Sequence, residues 1–241
     1  MNNKKIGYVL ISGGQMSDWI WKKFIPLLKL PYIIISSRLE NNNLKNRINS
    51  NLSDCVEYVL KQLSNLNFNT YIIIGHSIGG ILAALVALKL KNQIEHIIYI
   101  AANLPKNNNN AISTFPFLNR IMIRGFISSQ IKKENTLIRN EAKYFLDLFC
   151  NTCSIEVKKF ISQQNLKPEP MCLFNEKVIW DDLENIPQTY IRLLKDKTIS
   201  SKIQSKVTKN TNIQNIIDIE SDHMVMLSHP KELFNVIKHI L

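Results

Sequence analysis

The sequence predicts an α/β fold: a mostly parallel, doubly wound sheet with a helical cap inserted after the central strands. Three observations predict it. Short apolar runs alternate with segments whose apolar residues recur at helical spacing, the pattern of βαβ units. A long, mainly helical and aromatic-rich stretch, about residues 104 to 180, interrupts that alternation. A GxSxG sequence falls where a strand pattern gives way to a helix pattern.

Ile6 to Ile11 is the first apolar run, and it stops at Ser12, Gly13 and Gly14. Tyr32 to Ile35 is the second, rich in β-branched residues. Such unbroken runs suit strands buried on both faces. Leu52 to Leu63 places apolar residues at helical intervals, and Tyr71 to Ile74 returns to the buried-strand pattern, ending at Gly75. Ile81 to Leu90 reads as a helix in which Ala83, Ala84 and Ala87 permit close approach to a sheet. Ile97 to Ile100 is the next strand, and connections between parallel strands are expected to be right-handed. The interrupting stretch carries Phe115, Phe117, Phe126, Tyr144, Phe145, Phe149 and Phe160. It is expected to lie as a cap over the C-terminal edge of the sheet, where open α/β sheets bind ligands. Strand character resumes at Gln188 to Leu194 and at Ile213 to Ile219, and a helix from about Pro230 closes the chain. The Asn107 to Asn110 run reads as a surface loop.

With 241 residues, 45% of them hydrophobic, the chain can bury one large core, and residues 1 to 241 are expected to form one domain. A net charge of +11 invites a polyanionic partner. The lysine pairs at 4 and 5, 22 and 23, 132 and 133, and 158 and 159 are scattered among Asn and Ile, which reads as solvated surface charge rather than a nucleic-acid stripe. Of the four cysteines, Cys150 and Cys153 form a lone CxxC with no further Cys or His at zinc-ligand spacing. The expectation is no metal, no cofactor, and free thiols in a reducing compartment. The apolar stretch after Lys4 and Lys5 is too short for a signal h-region, and no later segment reaches the roughly 18 apolar residues of a membrane span. A cytoplasmic protein, monomer or homodimer, with no membrane partner is the expectation.

The strongest local signal is Gly75-His76-Ser77-Ile78-Gly79-Gly80. Between a strand and a helix, GxSxG builds a sharp turn that pushes the serine hydroxyl out above the sheet, and glycines at 75 and 79 answer the crowding there. The helix N-terminus beneath the serine favours developing negative charge. A hydroxyl needs a base to take its proton. His76 is expected to point elsewhere on the turn, and His96, His229 and His239 sit in or near helices or at element edges. His223 follows the last strand, where the chain order serine, acid, histidine places the base. Asp196 follows the strand ending at Leu194 and is the candidate acid. Asp181, Asp182 and Glu184 precede that strand, and Asp222 is the histidine's own neighbour. The backbone N–H groups of Ile78 and Gly14 are the candidate oxyanion donors. Phe115, Phe117 and Met224 are candidate walls of the substrate pocket.

These residues give the chain a resemblance to the plant methylesterase and hydroxynitrile lyase family within the α/β-hydrolases, and to related small bacterial esterases. The likeness runs nearly end to end: VLISGGQMSDWIWKKFIPLL with Trp19 and Trp21, GHSIGG, YIRLLKDKTIS and SDHMVMLSHPKEL. NTC at Asn151 to Cys153 and NLKPEP at Asn165 to Pro170 are similar to insertion sequences of the bacterial esterases. The resemblance implies a triad of Ser77, Asp196 and His223. Hydroxynitrile lyases carry a lysine just after the catalytic histidine; Met224 stands there and favours hydrolysis. Two departures stand out. Ser12 replaces the family's histidine before the oxyanion glycine, and Ile35-Ser36-Ser37-Arg38-Leu39 lacks its usual Asp-Leu. The implied activity is hydrolysis of a small-molecule carboxylic ester through an acyl-enzyme. A lyase or C–C bond hydrolase on the same scaffold, or a non-catalytic binder, is the alternative.

Overall fold

A computed structural model describes residues 5 to 66, 68 to 131 and 142 to 241, without the side chains of Leu118, Phe126, Gln130, Ile131, Ala142 and Tyr144. Lys4 and the Lys132 and Lys133 pair therefore lie outside the described residues. Six parallel strands make one sheet: β1 (Ile6–Ile11), β2 (Tyr32–Ile35), β3 (Thr70–His76), β4 (Ile94–Ile100), β5 (Gln188–Leu193) and β6 (Asn215–Ile219). Their order is β2-β1-β3-β4-β5-β6. The chain winds one way from β1 to β2 and the other way from β3 to β6. β1 and β3 thus flank the point of reversal, and the crevice beyond their C-terminal ends is where such sheets take ligands.

Alternation along each central strand divides the core in two. Val9, Ile11, Ile73 and Ile97 face one buried cluster, shared with α2 (Leu52–Ser64) and α3 (Gly79–Leu90). Leu10, Ile72, Ile74, Ile98 and Ile100 face the other, with Trp21, Phe24, and Leu233 and Ile237 of α10 (Pro230–Ile240). Helix α2 starts at a capping box, in which the Asn51 side chain and Asp54 exchange hydrogen bonds with each other's backbone amides. It buries Leu52, Cys55, Val56, Val59 and Leu63, one stripe at helical spacing. Eight of the twelve residues of α3 are buried, and its alanines let it lie close to β3.

Three helices are additions to the sequence reading: α1 (Leu44–Asn49), α8 (Ser201–Asn210) and α9 (Val225–Ser228). α8 escapes a hydrophobic-period test because it is polar; its buried residues are Gln204, Val207 and Thr208. His96, expected near a helix or an edge, lies within β4 and hydrogen-bonds the Thr189 hydroxyl at 2.8 Å.

Between β4 and β5 the chain forms α4 (Phe117–Ile131), α5 (Ala142–Phe149), α6 (Ile155–Ser162) and α7 (Cys172–Asn175). This insertion touches the loops at the C-terminal ends of the strands. Phe160 meets Trp19 edge-on at 6.4 Å, and the Lys167 amide donates to the Gln15 carbonyl at 2.9 Å.

Candidate active site

Ser77 follows β3 directly and has φ 53°, a left-handed conformation unusual for a residue with a side chain. The surroundings hold it there. Its amide donates to the Ile100 carbonyl at 3.0 Å, and its carbonyl accepts from the amides of Asn103 at 3.0 Å and Gly80 at 3.1 Å. Crowding explains the flanking glycines. A Cβ on Gly75 would stand 2.7 Å from the Ala83 Cβ, and one on Gly79 would overlap the Ser12 carbonyl oxygen. The second contact sets the loop after β1 against the turn after β3. Ser77 itself is half-buried, and among the described residues its hydroxyl has no hydrogen-bond partner.

His223, after β6, is fully buried, and its Nδ1 lies 2.6 Å from Oδ2 of Asp196, after β5. An ionised carboxylate only accepts, so Nδ1 carries the proton and Nε2 keeps a lone pair. That Nε2 has no hydrogen-bond partner among the described residues. The other oxygen of Asp196, Oδ1, accepts from the amides of Thr198 at 2.7 Å and Ile199 at 2.9 Å, so the carboxylate is fixed by its own turn.

The rival residues are occupied elsewhere. Asp222 accepts from the Thr152 amide at 2.8 Å through Oδ2, and from the Met224 amide at 3.1 Å and the Ser228 hydroxyl at 3.0 Å through Oδ1. Asp181, Asp182 and Glu184 are exposed. His229 bonds Ser221 at 3.0 Å, and His239 bonds the Asn235 carbonyl at 2.6 Å. His76 departs from expectation. Its ring lies 4.5 Å from that of His223, and its Nε2 donates to the His223 carbonyl at 3.0 Å. Complete burial, with His223 beside it, holds its pKa well below the usual imidazole value, so it stays neutral. Two more supports were invisible in the sequence. Asn151 donates to the Lys195 carbonyl at 3.1 Å, and Thr152 bonds Asp222; the NTC segment thereby ties the insertion to the acid loop and the histidine loop.

The loop after β1 lies against the turn after β3. A Cβ on Gly13 would stand 3.1 Å from the Ser77 Cβ, and one on Gly14 would stand 3.2 Å from Ile78 Cγ2. Among the described residues the amides of Gly14 and Ile78 make no hydrogen bond. Both sequence departures meet here. The Ser12 hydroxyl donates to the Ser17 carbonyl at 3.0 Å and accepts from the Trp21 indole at 3.0 Å. The Arg38 guanidinium, 2% exposed, donates to the carbonyls of Ile35 at 2.7 Å, Ser12, and Gly13 at 3.4 Å. Its Nε stands 3.5 Å from Glu169, whose other oxygen accepts from the Gln15 amide at 2.9 Å. Burial pushes the Glu169 carboxyl above its usual range against the pull of Arg38.

The three expected pocket residues differ in exposure. Phe117, the first residue of α4, is 71% exposed, which corrects its reading as a pocket wall; at a helix start its side chain meets solvent. Phe115 is half-buried, and Met224 is completely buried in the apolar cluster on the α10 side of the sheet. The aromatic groups beside the polar residues are others. Phe149 meets the His223 ring edge-on at 5.1 Å and stacks on Phe145 at 4.2 Å. Phe174 approaches Gly14, its Cζ 3.9 Å from where a Cβ would stand. Phe149 stood in the aromatic inventory of the insertion, but no sequence signal placed it beside the histidine.

Among the described residues no group of His, Cys, Asp or Glu has the arrangement of a metal site, and no helix is long and apolar enough to cross a membrane. All four cysteines are free and buried.

Known proteins resemble the chain over nearly its whole length. It is 24% identical to polyneuridine aldehyde esterase of Rauvolfia serpentina, with 94% of this chain and 92% of that protein aligned. It is also 24% identical to the α-hydroxynitrile lyase of Arabidopsis thaliana, over 98% of this chain and 97% of that one. Among solved structures, an extracellular alpha/beta-hydrolase from a Paenibacillus species superposes with a TM-score of 0.80 at 20% identity, over 98% of both chains. The model of the alpha/beta hydrolase family matches residues 8–236, and the chain belongs to that family.

Proposed function

We propose that the protein is a serine hydrolase of small carboxylic esters, with Ser77 as nucleophile, His223 as general base and acid, and Asp196 as the group that orients His223. One observation carries the reading: a buried imidazole with its Nδ1 spent on Asp196 and its Nε2 unpaired, on the edge of the sheet where the strained Ser77 turn emerges. The esterases among the relatives support the same chemistry.

In this mechanism His223 Nε2 takes the proton as Ser77 Oγ attacks the ester carbonyl. The amides of Gly14 and Ile78 stabilise the oxyanion that forms. Collapse expels the alcohol, which leaves with the proton held on His223, and an ester of Ser77 remains. Water then attacks that acyl-enzyme with His223 again as base, and the acid departs. Asp196 keeps Nδ1 protonated and balances the imidazolium in each half-reaction. Phe149 beside His223 and Phe174 beside Gly14 favour an apolar or aromatic acyl group. Met224, uncharged and fully buried next to the histidine, weighs for hydrolysis over the lyase reaction.

Turnover of a panel of p-nitrophenyl and methyl esters by the wild type and Ser77→Ala tests the proposal. The expected result is hydrolysis by the wild type and a drop in kcat of roughly 10⁴ to 10⁶ in the variant. Equal rates would defeat it.

A further inference from the structure

We infer that Arg38 and Glu169 are positioning residues that orient the peptide plane of the oxyanion loop, so that the insertion, and not the sheet alone, sets the aim of the Gly14 amide. The inference rests on the proposal that Gly14 is an oxyanion donor. It begins with the geometry of a single peptide. A trans peptide is planar, with its C=O and N–H pointing in opposite directions, and among the described residues there is no cis peptide bond. Arg38 draws the Gly13 carbonyl at 3.4 Å, and the Met16 amide draws the same oxygen at 3.2 Å. The N–H on the far side of that peptide belongs to Gly14, so it is turned away from the guanidinium. The Gly13 and Gly14 α-carbons lie against Ser77 and Ile78, and among the described residues the Gly14 amide has no hydrogen-bond partner. Arg38 also holds the Ser12 carbonyl, the atom that Gly79 accommodates by having no side chain.

Glu169 completes the device from the other side. Gln15 has φ 64°, a left-handed conformation. Both of its backbone polar groups are held by the insertion: its amide by Glu169 at 2.9 Å and its carbonyl by the Lys167 amide at 2.9 Å. One carboxylate thus fixes the Gln15 amide and faces the guanidinium that fixes the preceding carbonyls, with both groups nearly removed from water. A planar fork of donors reaching three carbonyls is a role that an arginine fills and a lysine does not. The arrangement stands where the loop lacks the family's usual histidine and Asp-Leu, at Ser12 and Arg38.

The test compares Arg38→Lys, Glu169→Gln and the double variant Arg38→Met/Glu169→Gln, which removes both charges together and leaves no unpaired buried ion. Ester hydrolysis is expected to lose 10- to roughly 1000-fold in kcat in the Arg38 variants, the scale of a displaced oxyanion donor, with KM changed by less than about threefold. Affinity for a trifluoromethyl ketone, whose tetrahedral adduct needs the oxyanion donors, should fall by a similar factor. Glu169→Gln, whose amide oxygen still accepts from Gln15 but which removes the charge facing Arg38, should lose kcat in the same direction and by a smaller factor than the Arg38 variants. Hydrogen exchange supplies a readout independent of turnover: the peptide spanning residues 12 to 17 should exchange faster in the double variant, and that spanning 190 to 199 should not. Unchanged exchange at 12 to 17, or a loss of kcat no larger than the loss of folded protein read by circular dichroism on the same samples, would overturn the inference. If the wild type fails to hydrolyse esters, the functional proposal fails, and the exchange comparison still decides the role of the pair.

Discussion

Two buried acid and base pairs stand among the loops and the insertion beyond the C-terminal ends of the strands, and they differ in what holds them. Asp196 and His223 stand on loops that follow neighbouring strands, β5 and β6, and meet at 2.6 Å. Arg38 and Glu169 come from the loop after β2 and from the insertion, and meet at 3.5 Å. In the first pair the sheet fixes both partners, and the insertion only braces them through Asn151 and Thr152. In the second pair the insertion supplies one of the two charges. In the proposed mechanism the proton-transfer side of the site is therefore built by the sheet, and the oxyanion side depends on how the insertion seats.

That contrast can be broken most severely at Asp196. Asp196→Asn leaves the packing almost unchanged but offers Nδ1 the wrong hydrogen-bonding group, and a drop in kcat of roughly 10³ to 10⁴ is expected. Steady-state kinetics on the ester that the wild type turns over best will measure it, and a loss under tenfold would remove Asp196 from the triad.

Gly79→Ala strikes where the two sides touch, since the new methyl would overlap the Ser12 carbonyl. Backbone must shift to admit it, and a destabilisation of about 1 to 3 kcal/mol follows, to be read as a lowered urea midpoint. An unchanged midpoint would mean that the two loops are not in close contact.

Asp222→Ala sharpens the comparison by removing the brace without touching the proton path. It strands the Thr152 and Met224 amides, for a stability loss of about 1 to 3 kcal/mol, while kcat should stay within about tenfold of wild type. A larger kinetic than thermodynamic effect would move Asp222 into the chemistry.

The smallest effect concerns His76. Its folded-state pKa is held below the unfolded value by burial, so the unfolded chain takes up the proton first as the pH falls. The stability this contributes is present above about pH 6.5 and is lost as the pH drops below that value toward the folded pKa, with a slope of at most about 1.4 kcal/mol per pH unit. Urea titrations between pH 7.5 and 5 should show a steeper decline in the wild type than in His76→Gln. Parallel curves would place His76 in water in the folded protein.

The sheet was legible in the sequence, and so were the positions of the candidate residues Ser77, Asp196 and His223 relative to its strands, because each rests on a local pattern. Ile6 to Ile11 and Tyr71 to Ile74 are unbroken apolar runs, Ser77 sits in GxSxG, and Asp196 and His223 follow strands in a fixed order. Gly14 and Ile78 were read as candidate oxyanion donors from the same patterns, but the pair behind that loop was not legible. Arg38 and Glu169 are 131 positions apart along the numbering, and no periodicity links them. Phe117 misled for a related reason: aromatic composition told that the insertion carries large side chains, not which of them turns inward. His76 misled because adjacency to Ser77 suggested a side chain directed away, whereas the turn brings its ring beside His223.

The central claim is that Ser77 is reactive because His223 takes its proton. The most direct measurement is the rate of labelling by a fluorophosphonate, with the modified peptide mapped by mass spectrometry. The account predicts a single adduct on the peptide containing Ser77 and a labelling rate at least roughly a thousandfold lower in His223→Ala. An adduct on another residue, or an undiminished rate in His223→Ala, would contradict it.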